Sequence, residues 1–208
     1  MGKEYAMSSQ VSAQDREKIN AGIREKYNQV AVTPDGHFKY PTGRDGLKGL
    51  HYNNKLIANL PDAVSDSFCG VGNPFSLGKI SQGEQILDIG CGAGVDAILA
   101  ALSTGPKGSV VGVDIVPEMI ARAESNRQMM DLDNVGFQNV SSEKLPFSDD
   151  TFDVVISNGV INLIPDKAAA MSEILRVLKP AGRLMVADQI AAGSVQNDLK
   201  ARLANWFQ

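Results

Sequence analysis

The sequence predicts an α/β fold, a three-layer sandwich around a mainly parallel sheet, on three observations. From residue 84 onward short apolar runs alternate with stretches of helical spacing. The first of those runs opens into a bend with alternating glycines, Gly90, Gly92 and Gly94, and the second ends in an acid, Asp114. Strands that alternate with helices at such spacing pair in parallel through right-handed crossovers.

Taken in order, residues 85–89 read as a buried strand and 95–103 as the helix after the glycine bend. Residues 109–114 form a second strand, and 117–130 a second helix with Pro117 at its first turn. Residues 135–140 and 152–157 are the third and fourth strands. A helix over 166–178 is closed by Lys179-Pro180-Ala181-Gly182, and 183–188 is the fifth strand. Ahead of this core, Ser12 and Asp15 resemble a capping box. Ile19, Ile23, Tyr27 and Val30 then fall three or four apart, which predicts a helix over 13–30 stopped before Pro34. Residues 33–54, with His37, Phe38, Tyr40 and His51, read as an ordered but irregular lid or binding loop. A short helix over 61–68 leads into the glycine-rich stretch 69–74. The expected organisation is a flexible tail over 1–12, a helix and lid segment over 13–80, a ligand-binding core over 81–190, and a C-terminal helix over 191–208 that stops abruptly.

Composition narrows the partners. A net charge of −4 exerts no long-range pull on nucleic acid or anionic lipid. The longest apolar run, 97–102, is too short to span a bilayer, and the N-terminus lacks the apolar stretch of a secretory signal. Two cysteines, Cys69 and Cys91, are too few for a disulfide framework, so a cytoplasmic setting is expected. No metal site, nucleic-acid partner or membrane partner is expected, and a small molecule is the default ligand.

The glycine bend carries the chemistry. Glycine lets the chain turn sharply and approach a ligand without a β-carbon in the way, and the helix that follows adds unpaired N–H donors. A dinucleotide loop spaces its glycines G-x-G-x-x-G. Here Val95 stands at that third glycine, and Asp88 precedes the first. A diphosphate would not favour a carboxylate beside it, whereas a cofactor with ammonium and sulfonium centres would. This logic selects S-adenosyl-L-methionine over a nicotinamide cofactor, with Asp88, Gly90, Cys91, Gly92 and Gly94 as the cofactor loop. Asp114, 20 residues past Gly94, suits the two ribose hydroxyls.

Further matches follow in order: Leu145-Pro146-Phe147, Phe152-Asp153-Val154-Val155 and Leu178-Lys179-Pro180-Ala181-Gly182-Arg183-Leu184. With the glycine bend and Asp114, they make residues 83–188 resemble the class I methyltransferases. That resemblance implies a Rossmann-like sheet of order 3-2-1-4-5. It places Ser142 and Glu143 beside the adenine and Asn158 near the methyl donor, and adds Ile115 and Met119 to the cofactor-binding set. Loop solvation is the alternative reading of Ser142, Glu143 and Asn158.

Within that family the chain is most similar to the arsenite methyltransferases. The similarity lies in Arg24-Glu25-Lys26-Tyr27, Tyr40-Pro41-Thr42-Gly43-Arg44, residues 68–74 and residues 156–163. The implied acceptor is small, with Tyr27, Cys69 and Asn158 on the substrate side. Cys69 is either an acceptor ligand or a packing residue. Tyr27 either contacts the sulfonium through its ring or completes the helix's buried face. The family pattern has cysteine where Gly159 stands, and no cysteine occurs between Tyr27 and Arg44. The family's sixth and seventh strands find no counterpart before Gln208, which predicts an uncovered sheet edge open to self-association. A cofactor-binding but catalytically silent or truncated homologue is the alternative to an active enzyme.

Overall fold

The computed structural model describes residues 11–190. Its centre is a five-stranded parallel sheet of order β3-β2-β1-β4-β5, built from β1 (Gln85–Ile89), β2 (Ser109–Asp114), β3 (Val135–Asn139), β4 (Phe152–Asn158) and β5 (Leu178–Ala187). The order matches the expectation. β1 pairs with β2 from Gln85↔Ser109 to Ile89↔Val113 and with β4 from Ile86↔Val154 to Ile89↔Ser157. It is therefore central and buried on both faces, which is why residues 86–89 are apolar but for Asp88.

Strand alternation sorts the side chains into layers. Ile86 packs with Ala97, Ala100 and Ala101 of α5 (Val95–Thr104), while Leu87 and Ile89 pack with Ile174 and Val177 of α7 (Lys167–Val177). Helix α6 (Pro117–Met129) lies on the α5 side; a β-carbon on Gly94 would meet its Ala123 at 3.0 Å. β5 begins earlier than the sequence suggests, because Leu178 already pairs with Phe152 before the register resumes at Val154↔Arg183. The expected turn over 179–182 is absorbed as an irregularity in that ladder, with Ala181 in the left-handed region at φ 64°.

Helix α1 (Ala13–Val32) starts at Ser12, whose Oγ accepts from the Asp15 N–H at 3.1 Å. Ile19, Ile23 and Val30 are buried against Ala93, Val116 and Met119. Val11, placed in the expected tail, packs on the same cluster. The rest of that tail up to residue 10, and the expected helix over 191–208, lie outside the described residues.

The segment read as irregular, 33–54, is so except for one short helix, α2 (Gly43–Gly49); α3 (Asn54–Ala58) starts at its last residue, and α4 (Asp62–Ser65) replaces the longer helix expected over 61–68. Glycine's low helix propensity hid α2 from sequence reasoning, and tertiary packing overrides it. Leu47 is fully buried in a cluster with Val64, Phe68 and Val95. A β-carbon at Gly46 would sit 2.5 Å from the Pro41 carbonyl oxygen. Among the described residues β5 pairs only with β4, and no helix is long and apolar enough to cross a membrane.

Candidate functional site

In a sheet of this order the crossovers from β1 and from β4 leave in opposite directions, so a crevice opens at the carboxyl ends of those strands. A cavity lies there. It is walled by Gly90 and Gly92 after β1, by Asp114, Ile115 and Val116 after β2, and by Ser141, Ser142 and Glu143 after β3. Asn158, Gly159 and Val160 follow from β4, and Ile23, Tyr27, Tyr40 and Cys69 close it from the N-terminal segment.

The glycine bend is held in a conformation that side chains resist. Gly90, Gly92 and Gly94 have φ of 67°, 51° and 81°. The Gly90 and Cys91 N–H groups both donate to the Val113 carbonyl, at 2.8 and 3.0 Å. Asp114 completes the brace: its Oδ2 accepts from the Gly92 N–H at 2.9 Å and its Oδ1 from the Val116 N–H at 2.9 Å. Burial pushes this carboxyl up, and its backbone donors oppose that. A carboxylate offers about four acceptor sites, so its backbone donors leave capacity for a ligand in the cavity.

The expected residues divide. Tyr27, Cys69, Gly90, Gly92, Asp114, Ile115, Ser142, Glu143 and Asn158 line the cavity; Asp88, Cys91, Gly94 and Met119 do not. Asp88 is 2 % exposed with Oδ2 unpartnered, and burial, reinforced by Asp96 and Asp114, lifts its carboxyl well above the usual range. The acid that opens the bend is thus not the acid that faces the ligand space. Gly94 caps α5, where a β-carbon would lie only 2.6 Å from the Phe137 ring. Met119 is a core residue, 1 % exposed, and the Cys91 thiol is buried and raised well above its ordinary value.

Tyr27 packs on the buried face of α1, as one reading expects, and its wall position is open to the other. It packs against the α1 cluster, 6.4 Å from the Phe38 ring, and also lines the cavity. Cys69 faces the cavity with its thiol pushed up to about 12, chiefly by burial and then by Asp114 and Asp96. It is therefore a thiol rather than a thiolate near neutral pH.

Two features escaped the sequence. Arg16, at the start of α1, donates to Glu143 Oε2 at 3.0 Å and to Asp166 Oδ2 at 3.2 Å, while Glu143 Oε1 accepts from the Asp166 N–H at 2.9 Å. Helix α1 is thereby latched across the cavity. The second feature is a buried polar group beneath it: Asp96, in the first turn of α5, accepts from the Tyr52 hydroxyl at 2.8 Å and from Asn158 Nδ2 at 2.9 Å. Neither showed locally, because an acid at a helix start reads as a partner of the helix dipole.

Asp96 gives a pH prediction. Burial lifts its carboxyl to about 6, with Asn158 and Tyr52 opposing. The folded protein holds that proton more tightly than an unfolded chain, where aspartate titrates near about 4. Its stabilising contribution is full below about pH 4 and is lost as pH rises through the folded value. Glu173 runs the other way: Arg176 holds its carboxyl down to about 2, so its contribution is lost only as pH falls. Urea midpoints of Asp96→Asn are expected to decline less between about pH 4 and pH 6 than those of the unaltered protein; parallel profiles would remove Asp96 from that titration.

Residues 80–208 match a family model described as a methyltransferase domain. The arsenite methyltransferase of Halobacterium salinarum is 35% identical over 204 residues, covering 91% of this chain and 52% of that protein. That of Mus musculus is 32% identical over 204 residues, covering 94% and 54%. The chain spans about half the length of these curated relatives. Among solved structures, the arsenic(III) S-adenosylmethionine methyltransferase of Chlamydomonas reinhardtii is 37% identical, covers 72% of this chain and 50% of that one, and superposes with a TM-score of 0.59. An S-adenosylmethionine-dependent methyltransferase from Aquifex aeolicus shares the fold, with a TM-score of 0.52 at 23% identity over 78% of this chain and 86% of that one. An open parallel sheet of order 3-2-1-4-5, a crevice walled by its glycine bend and Asp114, and these relatives agree: the chain belongs to the class I S-adenosylmethionine-dependent methyltransferase family, close to the arsenite methyltransferases.

Proposed function

We propose that the chain binds S-adenosyl-L-methionine in this crevice and directs its methyl group to a small acceptor carrying a lone pair, of which arsenic(III) is one. The observation that carries the reading is the Asp114 brace: a carboxylate on the cavity wall that fixes the Gly92 amide and keeps acceptor sites for a ribose diol. The bend fits the same ligand. A β-carbon at Gly90 would overlap the Val160 side chain, so the bare backbone lies tight against the β4 loop beside the cavity. Gly90, Gly92 and Ile115 would hold the nucleoside with Asp114, and Ser142 would face its base. Glu143 contributes through the latch, since both its oxygens are engaged by Arg16 and the Asp166 N–H.

When bound, this donor supplies a methyl group already activated on a positive sulfur. The protein's part is then alignment and exclusion of water, a proximity effect of up to roughly 7–11 kcal/mol. Tyr27, Tyr40, Leu163 and Ile164 give the acceptor side an apolar wall, with Cys69 as its one sulfur among the described residues. No histidine lines the cavity among those residues, which favours a nucleophile that needs no proton removed. A soft arsenic centre prefers several thiolates; with Gly159 in place of the family's cysteine, the acceptor would bring its own thiols, as a glutathione adduct of arsenite does.

Calorimetry with S-adenosylhomocysteine and with NADH tests the cofactor: binding of NADH alone would reverse it. Product formation from arsenite with glutathione, beside a panel of thiols and phenols, tests the acceptor. The latch supports a lid role for α1. Arg16→Gln, which removes two partly exposed ion pairs, is expected to speed S-adenosylhomocysteine release by about threefold to tenfold. Stopped-flow dissociation rates that do not change would leave the latch without that role.

A further inference from the structure

Asn158 was expected near the methyl donor, yet its side chain is spent elsewhere. Its Oδ1 accepts from the Val71 and Gly72 N–H groups, at 2.9 and 3.1 Å. Its Nδ2 donates to the Gly72 carbonyl at 2.8 Å and to Asp96 Oδ2 at 2.9 Å. Two donors and two acceptors fill the capacity of a primary amide. The Tyr52 hydroxyl, 3.1 Å from Nδ2, donates on to Asp96 Oδ1. Asn158 from β4 and Tyr52 from the turn after α2 thus meet one backbone segment, residues 71–72, with Asp96 of α5 holding both side chains from behind.

That segment is pressed flat against the ends of two strands. A β-carbon at Gly70 would collide with the Asn158 amide, and one at Gly72 would lie 2.6 Å from the Ala187 β-carbon. Next along the chain stands Cys69, on the cavity wall. Its carbonyl accepts from the Tyr40 hydroxyl at 3.1 Å, and Tyr40 lines the same wall.

We propose that Asn158, anchored by Asp96 and Tyr52, is a positioning residue: it pins residues 70–72 and so sets where Cys69 and Tyr40 stand on the acceptor wall, without itself holding the methyl donor. This deepens the methyl-transfer reading and rests on it for the meaning of "acceptor". The pinning itself is independent of that reading. Loss of the amide frees a segment held at both Val71 and Gly72, and local opening of that kind exposes the thiol beside it.

Two readouts separate the roles: S-adenosylhomocysteine affinity by calorimetry, and the rate of Cys69 alkylation by iodoacetamide, resolved from Cys91 by peptide mass spectrometry. Asn158→Ala removes the pin, and Asn158→Asp sets a second carboxylate against Asp96. Both are expected to alkylate Cys69 about tenfold faster while S-adenosylhomocysteine affinity stays within about threefold of the unaltered protein. Adding Asp96→Asn to Asn158→Asp puts a donor back between the two positions, though none on the Gly72 carbonyl, and is expected to slow alkylation about threefold relative to Asn158→Asp. A residue acting through its bulk alone would show no such rescue, and one holding the methyl donor would lose S-adenosylhomocysteine affinity.

An unchanged alkylation rate in either single variant, a double variant that stays as fast as Asn158→Asp, or an affinity loss beyond about thirtyfold would each overturn the proposal. Should neither Asn158 variant fold, Tyr52→Phe, which deletes one hydroxyl, is expected to raise alkylation severalfold, and no rise would overturn the proposal equally. Should the unaltered protein fail to bind S-adenosylhomocysteine, the methyl-donor reading falls, and alkylation without nucleoside decides the pinning alone.

Discussion

Asp114→Ala is expected to weaken S-adenosylhomocysteine binding by two orders of magnitude or more. Hydrogen bonds from two ribose hydroxyls to a charged acceptor contribute about 1.5–3 kcal/mol each, and each 1.4 kcal/mol is about tenfold in affinity. The same carboxylate also accepts from the Gly92 and Val116 N–H groups. Its removal therefore leaves the glycine bend without its brace, and the thermal midpoint of the ligand-free protein is expected to fall as well. Calorimetry and thermal unfolding on one preparation separate the two effects. Affinity unchanged beside a lowered midpoint would make Asp114 a brace only.

Gly90→Ala has the second large expected effect, and it acts on the fold before the ligand. At φ 67° an L-residue costs about 1–2 kcal/mol, and forcing a methyl against the Val160 side chain adds roughly 1–3 kcal/mol of overpacking. Gly36 supplies the control: its φ is 77°, but a β-carbon there meets nothing within 4 Å. Urea unfolding of Gly36→Ala is expected to show the backbone cost alone, and that of Gly90→Ala about twice as much or more. Equal losses would mean that Val160 yields freely and that the bend is not tightly seated.

The sheet was legible because its strands obey local rules. Residues 86–89 (but for Asp88), 110–113 and 154–156 are short, apolar and bounded by turns, and alternating glycines ahead of a helix have few other uses. Asp114 could be found from its distance to that bend. Asp88 could not be placed as easily: a one-letter acid beside the glycines does not reveal that pleating turns it toward α5 rather than into the crevice. Helix α2 was missed because its three glycines argue against a helix, while the reason for two of them, close approach of Gly43 to Asp66 and of Gly46 to Pro41, lies in tertiary contacts. Tyr52, Asp96 and Asn158 are 44 to 106 residues apart in the chain, so nothing local connects them. The long pairings of a parallel sheet bring them together.

Arg16 meets Glu143 and Asp166 across 127 and 150 residues of chain. Helix α1 leaves the ribosome ahead of the sheet, but the carboxylates that fasten it emerge only after most of the core has been made. On the ribosome α1 must wait, with Ile19 and Ile23 seeking cover that the loops beyond β1 and β2 provide earlier than Glu143 does. Apolar docking thus precedes ionic fastening during synthesis, and a crowded cell faces a brief interval in which the crevice is built but its cover is loose.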